Sequence, residues 1–318
     1  MKIILIGPGM KPIPPSGWGA IESLIWDYYE NLTKQNIETI IINDTNLSNV
    51  IDICNMEQPD VIHIMYDDYI NIVPFLRCNK ILYTSHYAFI TNKYFQTIFN
   101  NYFNNMFSKV IANQDRIQLN ALSSSIGDVY KKHGYNGKMY ILSNGARSDL
   151  FKYTTQPTKS NKSVYVAKIE ERKRQYLYQC IEDIDFIGNY HNSTFDINNA
   201  NYLGEWKKKT LYGKLTEYGN LLLLSSGEAD PLVTKEALIA GLGIVVNEIS
   251  SANLDLTKEF ITVIPNDKLD DIEYIEEKIK KNREYSVKNR NEIREYALEN
   301  FSWDSIIKKY IKNILELD

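Results

Sequence analysis

Apolar residues in this chain recur in short runs that alternate with longer amphipathic segments. In the first half, the runs predict strands at KIILIG, ETIIIN, DVIHIM, KILYTS, KVIAN and KMYILS, with helices over 20–32 and 47–56. Strands that alternate with helices pair in parallel and build a doubly wound sheet. We therefore predict a first Rossmann-like α/β domain over 1–150.

The same alternation returns in the second half. It predicts strands at SVYVAK, DFIGNY, NYLG, NLLLLSS, GIVVN and ITVI, helices over 174–183 and 207–218 and from about Leu232, and a mostly helical tail from Asp270. The polar stretch TTQPTKSNKS is the best linker candidate. We predict a second domain over 151–300. Since ligands of open α/β sheets bind beyond the carboxyl ends of the strands, candidate residues should follow strands directly.

Composition narrows the class of protein. The 318 residues are 44% hydrophobic, which is ample for two cores. A net charge of −4 gives no basic field for nucleic acid. The cysteines, Cys54, Cys78 and Cys180, are far apart, which indicates a reducing compartment. KIILIG is too short for a signal peptide and no run is long enough to span a membrane, so we expect a cytoplasmic protein.

The loop after the first strand carries glycines but lacks a dinucleotide fingerprint. Gly7 and Gly9 are followed by KPIPP, and proline fixes φ and donates no N–H. The helix is expected to begin behind Gly17, Trp18 and Gly19. Glycines there would allow close backbone approach, and a helix N-terminus favours an anion. An ordinary βα loop is the alternative.

The segment SSGEADPLVTKEALIAGLGIVVNE is the most informative in the chain. Glu228 ends a strand-to-helix loop, and Glu236 lies about one turn into the next helix. Both carboxylates can face one ligand, and carboxylates accept hydrogen bonds from sugar hydroxyls. The alternative is a solvated acidic loop followed by a carboxylate that the helix dipole favours.

This segment resembles the signature of the retaining glycosyltransferases of family 4. The matching positions are Ser225, Glu228, Glu236, Ala237 and Gly241 before the strand GIVVN. The resemblance implies the GT-B fold, with two Rossmann-like domains facing across a cleft. Because NFSWDSIIKKY resembles the family's last segment, it also implies a C-terminal helix over 301–318 that packs back on the first domain. It also implies that Glu228 holds the donor sugar and Glu236 the ribose hydroxyls.

Other segments resemble the family in the same order. In SVYVAKIEERKRQ, Lys168 stands at the family's arginine and Lys173 at its lysine, which implies that both stabilise the diphosphate leaving group. A solvated basic cluster is the alternative. KILYTSHYAF implies that His86 orients the donor sugar, whereas His63 is interpreted as a core residue. The opening loop implies diphosphate contacts from Gly17, Trp18 and Gly19.

The chain also departs from the family pattern. Ala229-Asp230-Pro231 replaces the usual Gly-x-Gly, so Asp230 would add a charge beside the donor and Pro231 cannot donate an N–H. Lysine at 168 loses the bidentate phosphate contact that arginine makes. We still assign Asp230, Pro231 and Leu232 to the donor site, with Trp206 as a neighbour of the nucleobase.

The sequence therefore predicts a retaining glycosyltransferase that uses a UDP- or GDP-linked sugar and a glycan or related hydroxyl acceptor. It predicts no metal and no cofactor. The alternatives are a GT-B sugar epimerase or nucleotide-sugar hydrolase, and a non-catalytic nucleotide-sugar-binding protein; the interrupted glycine pattern disfavours an NAD-dependent dehydrogenase. The aromatic segment YFQTIFNNYFNNMF is interpreted as packing inward, so membrane contact is left open but not predicted. The oligomeric state is not indicated.

Overall fold

The computed structural model describes residues 1–17, 19–92 and 100–316. The chain divides into two compact units. The first is Met1–Asn144 together with Ile306–Asp318, and the second is Gly145–Ser305. The last segment therefore belongs to the first unit although it follows the second in sequence.

The first unit is a parallel α/β unit. In chain order it contains β1 (Lys2–Ile6), α1 (Ala20–Lys34), β2 (Glu38–Ile42), α2 (Leu47–Glu57), β3 (Val61–Ile64), β4 (Ile81–Tyr83), α3 (Asn100–Ala112), β5 (Ile117–Ala121), α4 (Ser124–Lys132) and β6 (Met139–Ile141). Its sheet has the order β2-β1-β3-β4-β5-β6, with every pair parallel. Since β2 and β3 flank β1, the strand order reverses beside the loop that follows β1.

One strand of the first unit was predicted wrongly. KVIAN is the end of α3, and the strand is the next segment, IQLNA. Met106, Phe107 and Val110 are buried at the spacing of one helix face, which continues the helix through the apolar run. The true strand carries Gln118 and Asn120, so its apolar signal is the weaker one.

The second unit repeats the architecture. In chain order it contains β7 (Lys159–Val166), β8 (Ile169–Glu170), α5 (Gln175–Tyr178), β9 (Ile184–Ile187), β10 (Tyr190–Asn192), α6 (Lys208–Lys214), β11 (Tyr218–Leu223), α7 (Leu232–Ile239), β12 (Gly243–Asn247), β13 (Ile261–Ile264), α8 (Ile272–Lys288) and α9 (Arg290–Phe301). The main sheet has the order β13-β12-β11-β7-β9, and β10 pairs with β8. The pairs in both sheets are parallel.

Several predicted boundaries of the second unit are corrected. The helix expected over 174–183 is only Gln175–Tyr178, and NYLG contributes an isolated bridge between Phe186 and Tyr202. The helix expected over 207–218 ends at Lys214, and Tyr218 already belongs to β11. β7 begins at Lys159, inside the expected linker. The prediction missed this start because the first residues of the strand are polar and at least partly exposed, and only its second half is buried.

The chain ends with α10 (Trp303–Lys309) and a π-helical segment, Tyr310–Leu315. The Tyr310 hydroxyl lies 3.1 Å from His63 Nδ1, and His63 Nε2 lies 2.8 Å from Thr84 Oγ1. His63 is fully buried with both ring nitrogens partnered, as expected of a core residue. Within the described ranges, none of the helices is both long and apolar enough to cross a bilayer.

Candidate functional site

Two neighbouring strands place the candidate site of the second unit. β7 and β11 pair in parallel, and β9 lies on the other side of β7, so the strand order reverses between β7 and β11. Such a reversal is where ligands bind in open α/β sheets. The loops after β7 and β11 lie side by side there, because the carboxyl ends of parallel strands share one edge of the sheet.

The centre of this site is a buried ion pair between the two loops. Lys173 Nζ donates to Glu228 Oε1, and the two side chains are 11% and 9% exposed. Burial lowers the pKa of Lys173 below its ordinary value. Burial alone would raise the pKa of Glu228, but the Lys173 and Arg172 cations outweigh it and hold that pKa below its ordinary value. The carboxylate is therefore ionised at neutral pH.

The pair continues into a chain of alternating charges. Arg172 Nη1 lies 3.6 Å from Glu228 Oε1, and Arg172 Nη2 donates to Glu170 Oε1 at 2.6 Å. Lys168 Nζ lies 3.6 Å from Glu170 Oε2. The cluster contains three cations, Lys168, Arg172 and Lys173, and two carboxylates, those of Glu170 and Glu228. Its net charge is therefore positive. The sequence pattern marked neither Arg172 nor Glu170 as a site residue.

Backbone contacts fix the two loops to each other. The Tyr165 hydroxyl, at the end of β7, donates to the carbonyl of Lys173 at 2.5 Å and accepts from Leu224 N at 3.0 Å. Ser226 N donates to the carbonyl of Arg172 at 2.8 Å. Tyr165 is fully buried. Sequence reasoning missed it because a tyrosine inside an apolar strand has the pattern of a core aromatic, and nothing in its spacing marks the hydroxyl.

The second signature carboxylate lies on α7 and also has a cationic partner. Lys208 Nζ, on α6, lies 3.2 Å from Glu236 Oε1. Trp206 precedes α6, is half-buried, and has Lys214 Nζ over its ring at 5.7 Å from the centroid. The contact between α6 and α7 was not foreseen, since it depends on how the two helices pack.

The segment Ala229-Asp230-Pro231, in the loop before α7, makes a structural contact. Asp230 Oδ1 accepts from Lys235 Nζ, and both side chains are 0% exposed. Asn253 Nδ2 donates to the same oxygen at 2.9 Å. Pro231 is the N-cap residue of α7, whose first residue, Leu232, is partly exposed. The described contacts of the Asp230 carboxylate thus lie inside the second unit, and its contact with a donor stays a prediction.

In the first unit, packing accounts for the first glycine pair of the opening loop. Asn43, just after β2, accepts from Gly9 N at 2.7 Å through Oδ1 and donates from Nδ2 to the Lys11 carbonyl at 2.7 Å. A Cβ on Gly7 would lie 2.9 Å from the same Asn43 oxygen, and Gly9 has a φ of +75°. Gly9 therefore requires glycine for the fold of the loop itself, whereas a Cβ at position 7 would have to displace the neighbouring side chains.

The Glu22 carboxylate lies beside Gly19, the last residue of the predicted phosphate-binding stretch of this loop. Gly19 is the N-cap residue of α1, and a Cβ there would lie 2.7 Å from Glu22 Oε2. Glu22 is 6% exposed, in the first helical turn, where the dipole favours a negative charge. Gly17 is exposed, and Trp18 lies outside the described residues. Phosphate contacts from this loop stay a prediction that the Glu22 carboxylate opposes.

His86 follows β4 at the carboxyl edge of the first sheet. Its Nε2 atom is buried and has no hydrogen-bond partner among the described residues. Burial lowers the pKa of the imidazole to about 4, so the ring is neutral near pH 7. A neutral ring with an unsatisfied nitrogen is suited to bind a ligand hydroxyl, because a buried polar atom without a partner costs free energy.

In 1–17, 19–92 and 100–316, no group of three or more His, Cys, Asp or Glu side chains has an arrangement that could hold an ion.

Similarity to solved structures extends over the whole chain. No protein-family model and no curated protein sequence matches it. The Anabaena protein HepE in complex with UDP and glucose is 13% identical and gives a TM-score of 0.70 over 100% of both chains. Sucrose-phosphate synthase from Thermosynechococcus elongatus is 13% identical, with a TM-score of 0.74 over 97% of this chain and 96% of that one. The lipopolysaccharide outer core galactosyltransferase WaaB, in its apo form, is 14% identical, with a TM-score of 0.68 over 99% of both.

These neighbours have the GT-B fold, and the prediction of that fold is confirmed. Both halves of the chain are parallel-sheet α/β units, and the likeness covers them together. At 12–14% identity the likeness concerns the fold alone.

Proposed function

We propose that this protein is a retaining glycosyltransferase that moves a sugar from a nucleotide diphosphate sugar to a hydroxyl of a glycan or related acceptor. UDP is the first choice of nucleotide, because HepE, which shares the fold, binds UDP and UDP-glucose. GDP is the second choice. The retaining course rests on the resemblance of the Glu228–Glu236 segment to family 4.

The observation that carries the proposal is the positive cluster at the strand-order reversal of the second sheet. Lys168, Arg172 and Lys173 stand there with Glu228, which is ionised and buried. A departing diphosphate gains negative charge as its bond to the sugar breaks, and fixed cations in a partly buried site stabilise that charge. A carboxylate at the same place can accept hydrogen bonds from the sugar hydroxyls.

The remaining roles rest on the resemblance to family 4. Glu236, on α7, binds the ribose hydroxyls after exchanging its contact with Lys208. Neutral His86 binds a sugar hydroxyl through Nε2. In the reaction, the bond from the anomeric carbon to the diphosphate oxygen breaks and a bond to the acceptor oxygen forms on the same face. The departing phosphate oxygen takes the acceptor proton, so no protein base is required.

We propose further that the reaction needs no divalent cation, because the lysines and Arg172 supply the positive charge. Transfer is then expected to proceed at an unchanged rate after dialysis against EDTA. A loss of activity that Mg²⁺ or Mn²⁺ restores would contradict this part of the proposal.

The test begins with binding. UDP, GDP, ADP and their sugars are titrated against the purified chain, and one nucleotide is expected to raise the melting temperature, because a ligand of the folded state stabilises it. Lys173→Ala is expected to abolish that shift. Lys280→Ala, in an exposed pair with Glu276 on α8, is the matched control and is expected to keep it.

Product analysis then separates the functions that share a nucleotide-sugar site. Release of UDP only when an acceptor is present indicates a transferase, release without acceptor a hydrolase, and binding without any turnover a non-catalytic protein. His86→Ala is expected to keep donor binding and lose transfer. Transfer at the parent rate by both the Lys173 and the His86 variants would overturn the assignment of the site.

A further inference from the structure

The second unit holds a third cation that the family pattern does not include. Lys168 stands where arginine is usual in family 4. Its ammonium group lacks the planar pair of N–H donors with which arginine binds two phosphate oxygens. Arg172, four residues later, is a guanidinium at the same edge of the sheet. We infer that Arg172 replaces the missing arginine as the bidentate ligand of the donor diphosphate, and that Glu170 is its counter-ion when no donor is bound. The inference rests on the proposed function.

The position of Arg172 supports this role. Its Nη1 donates to the carbonyl of Gly227 at 2.5 Å and lies 3.6 Å from Glu228 Oε1, the oxygen that Lys173 also contacts. The guanidinium and the Lys173 ammonium therefore lie beside the same carboxylate. An anion that Lys173 binds would lie within reach of Arg172 as well.

Accessibility separates the three cations. The side chain of Lys173 is 11% exposed and is paired with Glu228, whereas those of Arg172 and Lys168 are 25% and 38% exposed. Lys173 thus holds Glu228 in place, while Arg172 and Lys168 are the cations that a ligand in solvent meets first. Of these two, only Arg172 offers parallel donors that match two phosphate oxygens.

Glu170 links the two accessible cations. Its Oε1 accepts from Arg172 Nε at 3.0 Å and from Nη2 at 2.6 Å, and its Oε2 lies 3.6 Å from Lys168 Nζ. A diphosphate that binds Arg172 and Lys168 must displace this carboxylate or share both cations with it. Glu170 therefore weakens donor binding, and removing its charge should strengthen it.

The experiment compares UDP with uridine by isothermal titration calorimetry. Uridine lacks the diphosphate, so the ratio of the two affinities isolates the phosphate contacts. Arg172→Gln is expected to weaken UDP binding about tenfold or more and to leave uridine binding unchanged, because hydrogen bonds between charged groups are worth about 1.5–3 kcal/mol. Arg172→Lys should recover only part of the loss. Glu170→Gln is expected to tighten UDP binding about threefold or more without changing uridine binding.

Arg174→Gln is the matched control. Arg174 is two residues away but donates to Asp270 and to the Leu269 carbonyl, on a different contact surface. It is expected to bind UDP as the parent does. The melting temperatures of all four variants show whether loss of the contact between Arg172 and the Gly227 carbonyl destabilises the fold. A general loss of fold would also lower UDP and uridine binding together.

The outcomes separate this inference from the function it rests on. If the parent binds neither UDP, GDP nor ADP, the proposed function fails. If the parent binds UDP and Arg172→Gln binds it equally well, the function stands and the role of Arg172 is overturned. A Glu170→Gln variant that binds UDP more weakly than the parent overturns the role of Glu170 as a competing counter-ion.

Discussion

Lys173 and Glu228 are 55 positions apart in sequence, yet they form a buried ion pair. The contact exists because β7 and β11 are neighbours in the sheet although β8, β9 and β10 lie between them in the chain. Glu228 lies in the loop that follows β11, and Lys173 lies in the short 3-10 turn after β8, in the connection that leaves β7. The pair therefore joins the two loops from which the candidate diphosphate site is built.

Removing one member of this pair is expected to destabilise the protein. Lys173→Met leaves the Glu228 carboxylate buried without its main partner, which costs about 3–5 kcal/mol. The double variant Lys173→Met/Glu228→Gln carries no such charge and should regain most of the loss. Urea denaturation measures both values. UDP binding should be lost in both, since the restored stability does not restore the cation.

A double variant as unstable as the single one would show that Glu228 does not depend on Lys173. A double variant that binds UDP with parent affinity would remove Lys173 from the site. The two measurements thus separate the structural role of the pair from its role in binding.

The hydroxyl of Tyr165 is expected to position Lys173. Tyr165→Phe leaves the Lys173 carbonyl and the Leu224 N–H without their shared partner, at a cost of about 1–3 kcal/mol for each buried group. Because the loop loses its anchor, UDP binding should weaken severalfold beyond what the loss of stability explains. Calorimetric titration well below the melting temperature measures this.

Tyr178→Phe is the control for that prediction. Tyr178 is also fully buried, and its hydroxyl donates to the Leu269 carbonyl at 3.0 Å, a contact outside the candidate site. It should lose stability and retain UDP affinity. Equal losses of affinity in the two variants would mean that Tyr165 acts on the fold in general.

The sequence predicted the fold well where a strand is a continuous apolar run. KIILIG and GIVVN, for example, are central strands buried on both faces of their sheets, so their pattern is unambiguous. The prediction was wrong at KVIAN, because an apolar run of that length is compatible with either a strand or one face of a helix. The polar start of β7 was taken for a linker for the opposite reason: a half-exposed strand carries no apolar run.

Some residues of the candidate site could be named from the sequence, but Tyr165, Glu170 and the arrangement of the site could not. The resemblance to family 4 marked Glu228 and Lys173, whereas the order of strands that makes them partners is not encoded in any local pattern. The resemblance also implied that Asp230 faces a donor, and its partner Lys235 is only five residues away. Whether Asp230 pairs with Lys235 or faces a ligand depends on the contacts around α7, among them those with Asn253 and Phe301.

The depressed pKa of His86 predicts a particular pH profile for transfer. Its imidazole has a pKa of about 4, so it is neutral from pH 8 down to about pH 5 and gains its proton only near pH 4. If transfer needs the neutral ring, the rate at saturating donor should show no step near pH 6.5 and should fall only as pH approaches 4. His86→Gln, which keeps a hydrogen-bonding group and cannot titrate, should lack that acidic step. A step near pH 6.5 that disappears in His86→Gln would show that the ring is not buried during turnover.

The core histidine of the first unit predicts how stability depends on pH. Burial lowers the pKa of His63 to about 3, whereas in the unfolded chain it is about 6.5. Below pH 6.5 the unfolded state therefore binds a proton that the folded state does not. The stabilising effect of the neutral ring is fully present above pH 6.5 and is lost as pH falls toward 3, by up to about 1.4 kcal/mol per pH unit. Urea denaturation between pH 6 and 5, where few carboxylates titrate, measures this slope.

Two variants test whether His63 causes this pH dependence. His63→Gln keeps groups that can hydrogen-bond with Thr84 and Tyr310, and it should reduce the dependence of the unfolding free energy on pH by about one bound proton. Tyr28→Phe alters a ring that packs on His63 at 5.7 Å but changes no group that titrates in this range, so it should shift stability equally at both pH values. An unchanged slope in His63→Gln would show that the folded state takes up the proton, and that the contacts of His63 with Thr84 and Tyr310 open readily.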